Sequence, residues 1–201
     1  MNRRMLPAVC VPTLLLAAVS PVWAHVGHEH SDNAFIAGLT HPMLGLDHLL
    51  AMVAVGLLAT RSTRREALWM LPAAFVGMMI VGGLIALTGA PMPGAEAGIS
   101  VSVIALGLAV ALLPRLSASL LPAAATIIGL FALAHGYAHV AEMRGSSAPL
   151  YLTGMALGTA VLHAAGLALG LGLTRAVGMP GVRVAGGAIA ASFVVVMLIG
   201  V

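Results

Sequence analysis

Three ionisable side chains fall within eight residues of an apolar stretch, in the sequence His41-Pro-Met-Leu-Gly-Leu-Asp47-His48. Seven helical residues at about 100° each return almost to the starting angle, so His41 and His48 are predicted to lie on one stripe of a helix, roughly 10 Å apart. The Asp47 carboxylate could ligate the same ion as His48, or accept its second ring N–H and fix the tautomer. We interpret this group as metal ligands. The alternative is that each side chain hydrogen-bonds a neighbouring helix.

A second cluster of ionisable residues occurs further along the chain, in the sequence His135-Gly-Tyr-Ala-His139-Val-Ala-Glu142. The spacings of four and three residues place both imidazoles and the carboxylate on a single helical face. Two histidines at i and i+4 can bind one divalent cation. Gly136 stands where the general-base Glu of the zinc-peptidase motif His-Glu-x-x-His would be, which favours metal binding without hydrolysis. Hydrogen bonding between helices is again the alternative.

A lone histidine, His163, follows Thr159 by one helical turn. A single histidine is more often a structural residue, but the topology derived below places this one about 21 Å from the outer start of its helix. It would therefore lie nearer the membrane midplane than the other two motifs. Weak binding at several sites lets an ion leave a channel or carrier. We therefore predict that His163 is a deeper metal ligand on the inward route.

The elements that position these residues are membrane-spanning helices. The chain is 61% hydrophobic and only 7% charged, with a mean hydropathy of +1.09, a balance that a water-soluble domain cannot supply. Continuous apolar runs without period-two alternation predict an all-α membrane protein rather than a barrel. Six windows are long enough to cross the ~30 Å hydrocarbon core. They are residues 34–59, 67–89, 96–113, 119–142, 149–173 and 181–200.

The N-terminal region predicts a cleavable signal peptide, residues 1–24, because two arginines precede a short apolar run that ends in small residues. Residues 25–33 would then form an external leader, and residues 34–201 the six-helix domain. The leader is either a metal-capture arm or a solvated polar segment, and its histidines are His25, His28 and His30. The only cysteine, Cys10, lies in the removed segment, so the mature chain has no thiolate ligand.

The distribution of arginines predicts the orientation. With the mature N-terminus outside, the cytoplasmic loops contain six arginines and the external loops only Arg144. Val201 would then also lie outside, and both histidine motifs would occupy the outer half of the membrane, at a site loaded from outside. The six arginines are Arg61, Arg64, Arg65, Arg115, Arg175 and Arg183. So few scattered arginines give no basic face for nucleic acid, and no phosphate-binding Gly-rich loop that would indicate ATP hydrolysis is present.

Glycine pairs on the predicted fifth span, Gly154-x3-Gly158 and Gly166-x3-Gly170, have the spacing that lets membrane helices approach closely. We interpret them as packing residues.

Taken together, the motifs resemble those of the HupE/UreJ family of membrane proteins associated with hydrogenase and urease. The resemblance covers essentially the whole chain. It rests on His41-Pro-x-x-Gly-x-Asp47-His48, His135-Gly-x-Ala-His139-x-x-Glu142 and Gly158-Thr159-Ala-x-Leu-His163-x-x-Gly166. It implies a six-helix protein of the bacterial cytoplasmic membrane that admits nickel, or in some members cobalt, for metalloenzyme assembly.

The resulting hypothesis is a non-enzymatic permease whose substrate is Ni(II) or Co(II), with membrane lipid and the metal ion as its partners and no permanent cofactor. Imidazole and oxygen ligands alone do not separate nickel, cobalt and zinc. Two alternatives stay open from the residues: an intramembrane zinc hydrolase in which Asp47 or Glu142 activates water, and a cytochrome with haem between two histidines. A homo-oligomer is also left open.

Overall fold

The computed structural model of the protein describes residues 33–143 and 147–199. The predicted signal peptide, the histidines of the leader (His25, His28 and His30) and Arg144 lie outside the described residues. Those that are described form seven α-helices, with no β-structure among them except an isolated bridge between Ser62 and Leu116. The helices are α1 (Ala34–Leu44), α2 (Leu46–Thr60), α3 (Ala67–Leu87), α4 (Ala95–Leu112), α5 (Leu121–Glu142), α6 (Ala148–Val177) and α7 (Met179–Ile199). The predicted all-α membrane class is confirmed for this part of the chain.

Five helices, α3 to α7, are each long and apolar enough to cross a membrane. Their ends lie within a few residues of the predicted windows. Two of the turns between them use glycines with positive φ, Gly94 (83°) and Gly178 (77°), a backbone conformation that side chains other than glycine rarely adopt. The sequence signals for these turns were therefore local and readable.

The first predicted span is not one continuous helix. It consists of α1 and α2, which are bent by 78° at Gly45 and reach the length and hydropathy of a span only as a pair. The prediction that His41 and His48 share one helical stripe is therefore wrong. Gly45 has extended backbone (φ −87°, ψ 124°), and Pro42 in the last turn of α1 has no N–H to donate. Both features weaken helical hydrogen bonding at the break.

Successive spans alternate in direction, so that the C-terminus of α4 lies at the same end of the bundle as the loop after α2 and the start of α7. Arginines from both of those segments cap it. Arg61 donates to the carbonyls of Val110 and Leu113. Arg183 donates from Nε to Ala111 at 2.8 Å and from a terminal nitrogen to Leu112 at 3.2 Å. Cations at a helix C-terminus also interact favourably with the helix dipole.

Glycines set how closely the helices approach. A Cβ at Gly154 or Gly158 would meet backbone carbonyls of α1, and a Cβ at Gly166 would meet the Val53 carbonyl of α2. One at Gly170 would meet the Thr60 side chain. The glycine pairs of α6 therefore pack as interpreted from the sequence, and they hold both halves of the broken span against a single straight helix.

The contact between α3 and α5 supplies a direct test of this packing. A Cβ at Gly82 would overlap the Leu133 carbonyl oxygen, whereas one at Gly77 of the same helix has nothing within 4 Å. We expect Gly82→Ala to lower the free energy of unfolding by about 1–3 kcal/mol, because the two helices must move apart. Gly77→Ala is the matched control and should leave thermal stability in detergent unchanged or raised. Equal stability of the two variants would contradict the packing.

Candidate metal centre

Four imidazoles from three helices meet near one end of the bundle. The ring centroids of His48 and His139 are 3.9 Å apart, those of His48 and His135 are 4.8 Å apart, and those of His41 and His139 are 4.3 Å apart. His41 belongs to α1, His48 to α2, and the other two to α5. The bend at Gly45 brings the first two rings to 6.0 Å, whereas a straight helix would hold them a full two turns apart.

A chain of hydrogen bonds joins Asp47 to three of these rings. The Asp47 carboxylate accepts from the ring Nδ1–H of His48 at 2.8 Å, and the same oxygen accepts from the His48 backbone N–H, also at 2.8 Å. His48 Nε2 is paired with Nε2 of His139. His139 Nδ1 is in turn paired with Nε2 of His41 at 2.7 Å. One proton per imidazole satisfies the whole chain, so no ring in it has to be charged.

His135 is oriented differently. Its Nδ1 donates to the Phe131 carbonyl, one turn earlier on α5, at 2.9 Å. A carbonyl can only accept, so the Nδ1 atom must bear the proton and Nε2 must present a lone pair. That Nε2 atom is buried and has no hydrogen-bond partner among the described residues. His135 thus presents a buried Nε2 lone pair that could ligate a cation.

Asp47 and the Phe131 carbonyl have the same effect on different rings. Each fixes Nδ1 as the protonated atom, in His48 and in His135, and so directs the Nε2 lone pair away from itself. Metal-bound histidines in proteins almost always give their other N–H to a carboxylate or a backbone carbonyl. Of the two roles open to Asp47 from the sequence, the geometry favours the orienting role.

Burial increases across the cluster. The Asp47 side chain is 33% exposed and His41 is half-buried, whereas His48 and His139 are buried and His135 is fully enclosed. Aromatic rings border both sides of the cluster. Tyr151 lies edge-on to His41 at 5.9 Å and Phe75 edge-on to His135 at 5.4 Å. The exposed fraction of the side chains therefore falls from Asp47 and His41 toward His135.

Two predicted ligands have different surroundings. Glu142, the last residue of α5, is exposed and interacts electrostatically with Tyr151, the ring that borders His41. His163 on α6 is buried and packs against Phe75, with ring centroids 5.2 Å apart. The orienting Phe131 carbonyl and the bordering rings of Phe75 and Tyr151 were missed by sequence reasoning. Only Phe131 had a readable signal, because it stands four residues before His135.

The cluster is not a preformed coordination sphere. Among the described residues, no three or more His, Cys, Asp or Glu side chains are arranged to hold a metal ion as they stand. The physical reason is that His139 directs both ring nitrogens at other imidazoles. An ion would have to replace those contacts, so His139 and His41 must turn while His48 and His135 keep their orientation.

Comparison with known proteins agrees with the family resemblance of the sequence motifs. The family model described as HupE / UreJ protein matches residues 13–197. The chain is 39% identical over 176 residues to Protein HupE of Rhizobium leguminosarum bv. viciae, across 87% of this chain and 89% of that one. No solved structure matches the chain significantly.

The orienting contacts predict the protonation pattern of the rings. In protein labelled with ¹⁵N-histidine, we expect NMR to report His48 and His135 as Nδ1–H tautomers, because Asp47 and the Phe131 carbonyl accept those protons. Asp47→Ala should release the His48 tautomer and leave that of His135 unchanged, which makes His135 the internal control. An Nε2–H tautomer for His48 in the unsubstituted protein would contradict the geometry.

Proposed function

The chain belongs to the HupE/UreJ family, and we propose on that premise that it is a permease for Ni(II) or Co(II) in the bacterial cytoplasmic membrane. Its role would be to supply metal for hydrogenase or urease assembly. The observation that carries the proposal is the cluster of four imidazoles and one carboxylate inside a bundle of apolar helices. Ionisable groups at such depth are costly, and in membrane proteins they mark ion pathways.

The chemistry of the donors fits this substrate class. Imidazole nitrogen is a borderline ligand that suits Ni(II), Co(II) and Zn(II), while the absence of thiolate among the described residues disfavours a site for softer ions. The preference for nickel over zinc derives from the family alone. The ion is the substrate, so no resident cofactor enters the proposal.

The hydrogen-bonded state of the cluster suits transport better than storage. An arriving ion meets the half-buried Asp47 and His41 first. The hydrogen bonds of His139 with His41 and His48 then break, and the ion is ligated by His48, His135 and His139. Because the hydrogen bonds between His41, His48 and His139 re-form when the ion leaves, the unloaded cluster leaves only His135 Nε2 without a partner among the described residues. Binding of this kind is reversible, as conduction requires.

The proposed orientation places the imidazole cluster on the outer side and the arginine-capped end of α4 in the cytoplasm, in keeping with the excess of arginine in inner loops. Inward movement of a cation is then favoured by about 2.3 kcal/mol per charge per 100 mV of membrane potential. A facilitator for a divalent ion needs no further energy source.

The competing functions have less support. A Cβ at Gly136 would overlap the Met79 carbonyl of α3, so this position cannot carry the glutamate of a His-Glu-x-x-His hydrolase. The Asp47 oxygen Oδ1 is engaged by His48, and Glu142 is exposed. For haem, the contacts between the four rings, with centroids 3.9 to 6.0 Å apart, leave no gap for a porphyrin among them.

Substitutions in the cluster test the proposal. We expect His48→Ala and His139→Ala each to abolish nickel uptake into proteoliposomes, and Asp47→Ala to reduce it roughly 10- to 100-fold, the usual effect of losing an orienting partner. Phe193→Ala removes a buried ring from α7 and is the control for cavity formation. It should retain uptake. Normal uptake by both His48→Ala and His139→Ala would refute the permease site.

Topology is tested with single cysteines in a Cys10→Ser background. Ala90→Cys lies in the exposed turn between α3 and α4, and Ser119→Cys lies in the exposed loop before α5, at the opposite end of the bundle. In spheroplasts, a membrane-impermeant maleimide should label the first at once and the second only after permeabilisation, because the arginine-rich end is cytoplasmic. The reverse pattern would place the cluster on the inner side and overturn loading from outside.

A further inference from the structure

His163 is the one cluster-independent imidazole among the described residues, and its environment is unusual. It is 1% exposed, and neither ring nitrogen has a hydrogen-bond partner in the part of the chain that the structure describes. Buried polar atoms are nearly always satisfied by protein, water or a ligand, so two unpaired nitrogens on one ring require a reason. A purely structural histidine would have at least one partner.

One aromatic side chain links His163 to the imidazole cluster. The fully buried Phe75 ring contacts His135 at 5.4 Å and His163 at 5.2 Å, edge-on in both cases. The phenyl ring is therefore the shared neighbour of the two imidazoles, and the distance between their centroids cannot exceed the sum of these two distances. His135 also has a ring nitrogen, Nε2, without a hydrogen-bond partner among the described residues.

Two further donor atoms, a hydroxyl and a thioether, come from residues one helical turn away from His163 and from Phe75. Thr159 precedes His163 by one turn on the same face of α6, and its hydroxyl donates to the sulfur of Met79 at 3.6 Å. Met79 follows Phe75 by one turn of α3, and both Thr159 and Met79 are buried. Imidazole nitrogen, hydroxyl oxygen and thioether sulfur form a neutral set that ranges from hard to soft, which can bind a divalent transition metal but only weakly.

There is also a groove next to this histidine. It has a volume of about 340 Å³, lies between α3 and α6, and is lined by His163 together with Pro72, Val76, Ala160 and Ala164. The exposed Trp69 also lines it, so the groove opens on the outside of the bundle. His163 is buried at its wall.

We propose that His163, with Thr159 and Met79, forms a second and weaker binding station for the transported divalent ion, and that the Phe75 ring separates it from the four-imidazole cluster. This inference rests on the proposed permease function. The ion leaves the cluster from the His135 side, passes the edge of the Phe75 ring and is received by His163. The neutral, loosely bound second station allows onward release.

Transport kinetics with Ni(II) as the probe test the second station. In proteoliposomes, His163→Ala should lose most of the maximal uptake rate while KM and the nickel affinity of the purified protein stay close to native, because the cluster still captures the ion. Met79→Leu conserves volume and removes the thioether, and it should lower the maximal rate in the same way but less. Leu162→Ala, at the adjacent buried position of α6, is the control and should keep the native rate at equal membrane abundance.

Two results would overturn the second station. One is a native maximal rate in both His163→Ala and Met79→Leu. The other is an equal loss of affinity and rate in His163→Ala, which would make His163 part of the capture cluster. Inclusion of His48→Ala separates this failure from failure of the permease itself. If the native protein transports nickel and His48→Ala does not, the proposed function stands whatever His163→Ala shows.

Discussion

The break at Gly45 is the constraint on which the candidate site depends. Within a membrane, a helix end leaves backbone groups that water cannot satisfy, so irregular backbone is tolerated only where protein covers it. Here α6 provides the cover, because its glycine pairs seat α1 and α2 at backbone contact on either side of the break. Asp47, in the first turn of α2, accepts the His48 N–H and so satisfies one of the exposed donors. The same carboxylate oxygen orients the His48 ring. One side chain therefore stabilises the helix start and prepares a ligand.

Close helix contacts determine residue choice around the site as well as its position. Gly136 sits between the two histidines of α5 because the Met79 carbonyl of α3 approaches there. Gly45 is enclosed in a different way: a Cβ there would lie 2.8 Å from the Asp47 carboxylate and 3.2 Å from His48 Nδ1. Its backbone φ is ordinary, so a side chain there would not strain the backbone but would require the Asp47 and His48 side chains to shift. The glycines between the ionisable residues, Gly45 and Gly136, thus leave room for the contacts that position the histidines.

Much of the fold was predictable, because apolar runs, glycine turns and arginine loops are local signals. The histidines that meet were also identifiable, since each is costly in lipid and their spacings on α5 place them on one face. The bend was not predicted. Pro42 and Gly45 were visible, but either residue is tolerated in a membrane helix when neighbours compensate, and the compensating contacts come from α6, more than a hundred residues away. The Phe75 contacts were hidden for the same reason. These contacts join side chains of different helices, and the spacing of residues within one helix does not predict them.

Hydrogen bonding between the imidazoles explains how four such rings can be grouped inside the bundle. Four neutral rings in lipid would otherwise leave several nitrogens unsatisfied, at a cost of about 1–3 kcal/mol for each buried group. Pairing through His139 removes most of that cost. The unpaired nitrogen of His135 is the exception, and it belongs to the fully buried ring that contacts Phe75. An ion that binds there gains a ligand whose proton is already fixed elsewhere and which gives up no hydrogen bond within the described structure. In the proposed permease, the affinity of the cluster would then be greatest at His135, and an entering ion would be drawn past the paired imidazoles toward that ring.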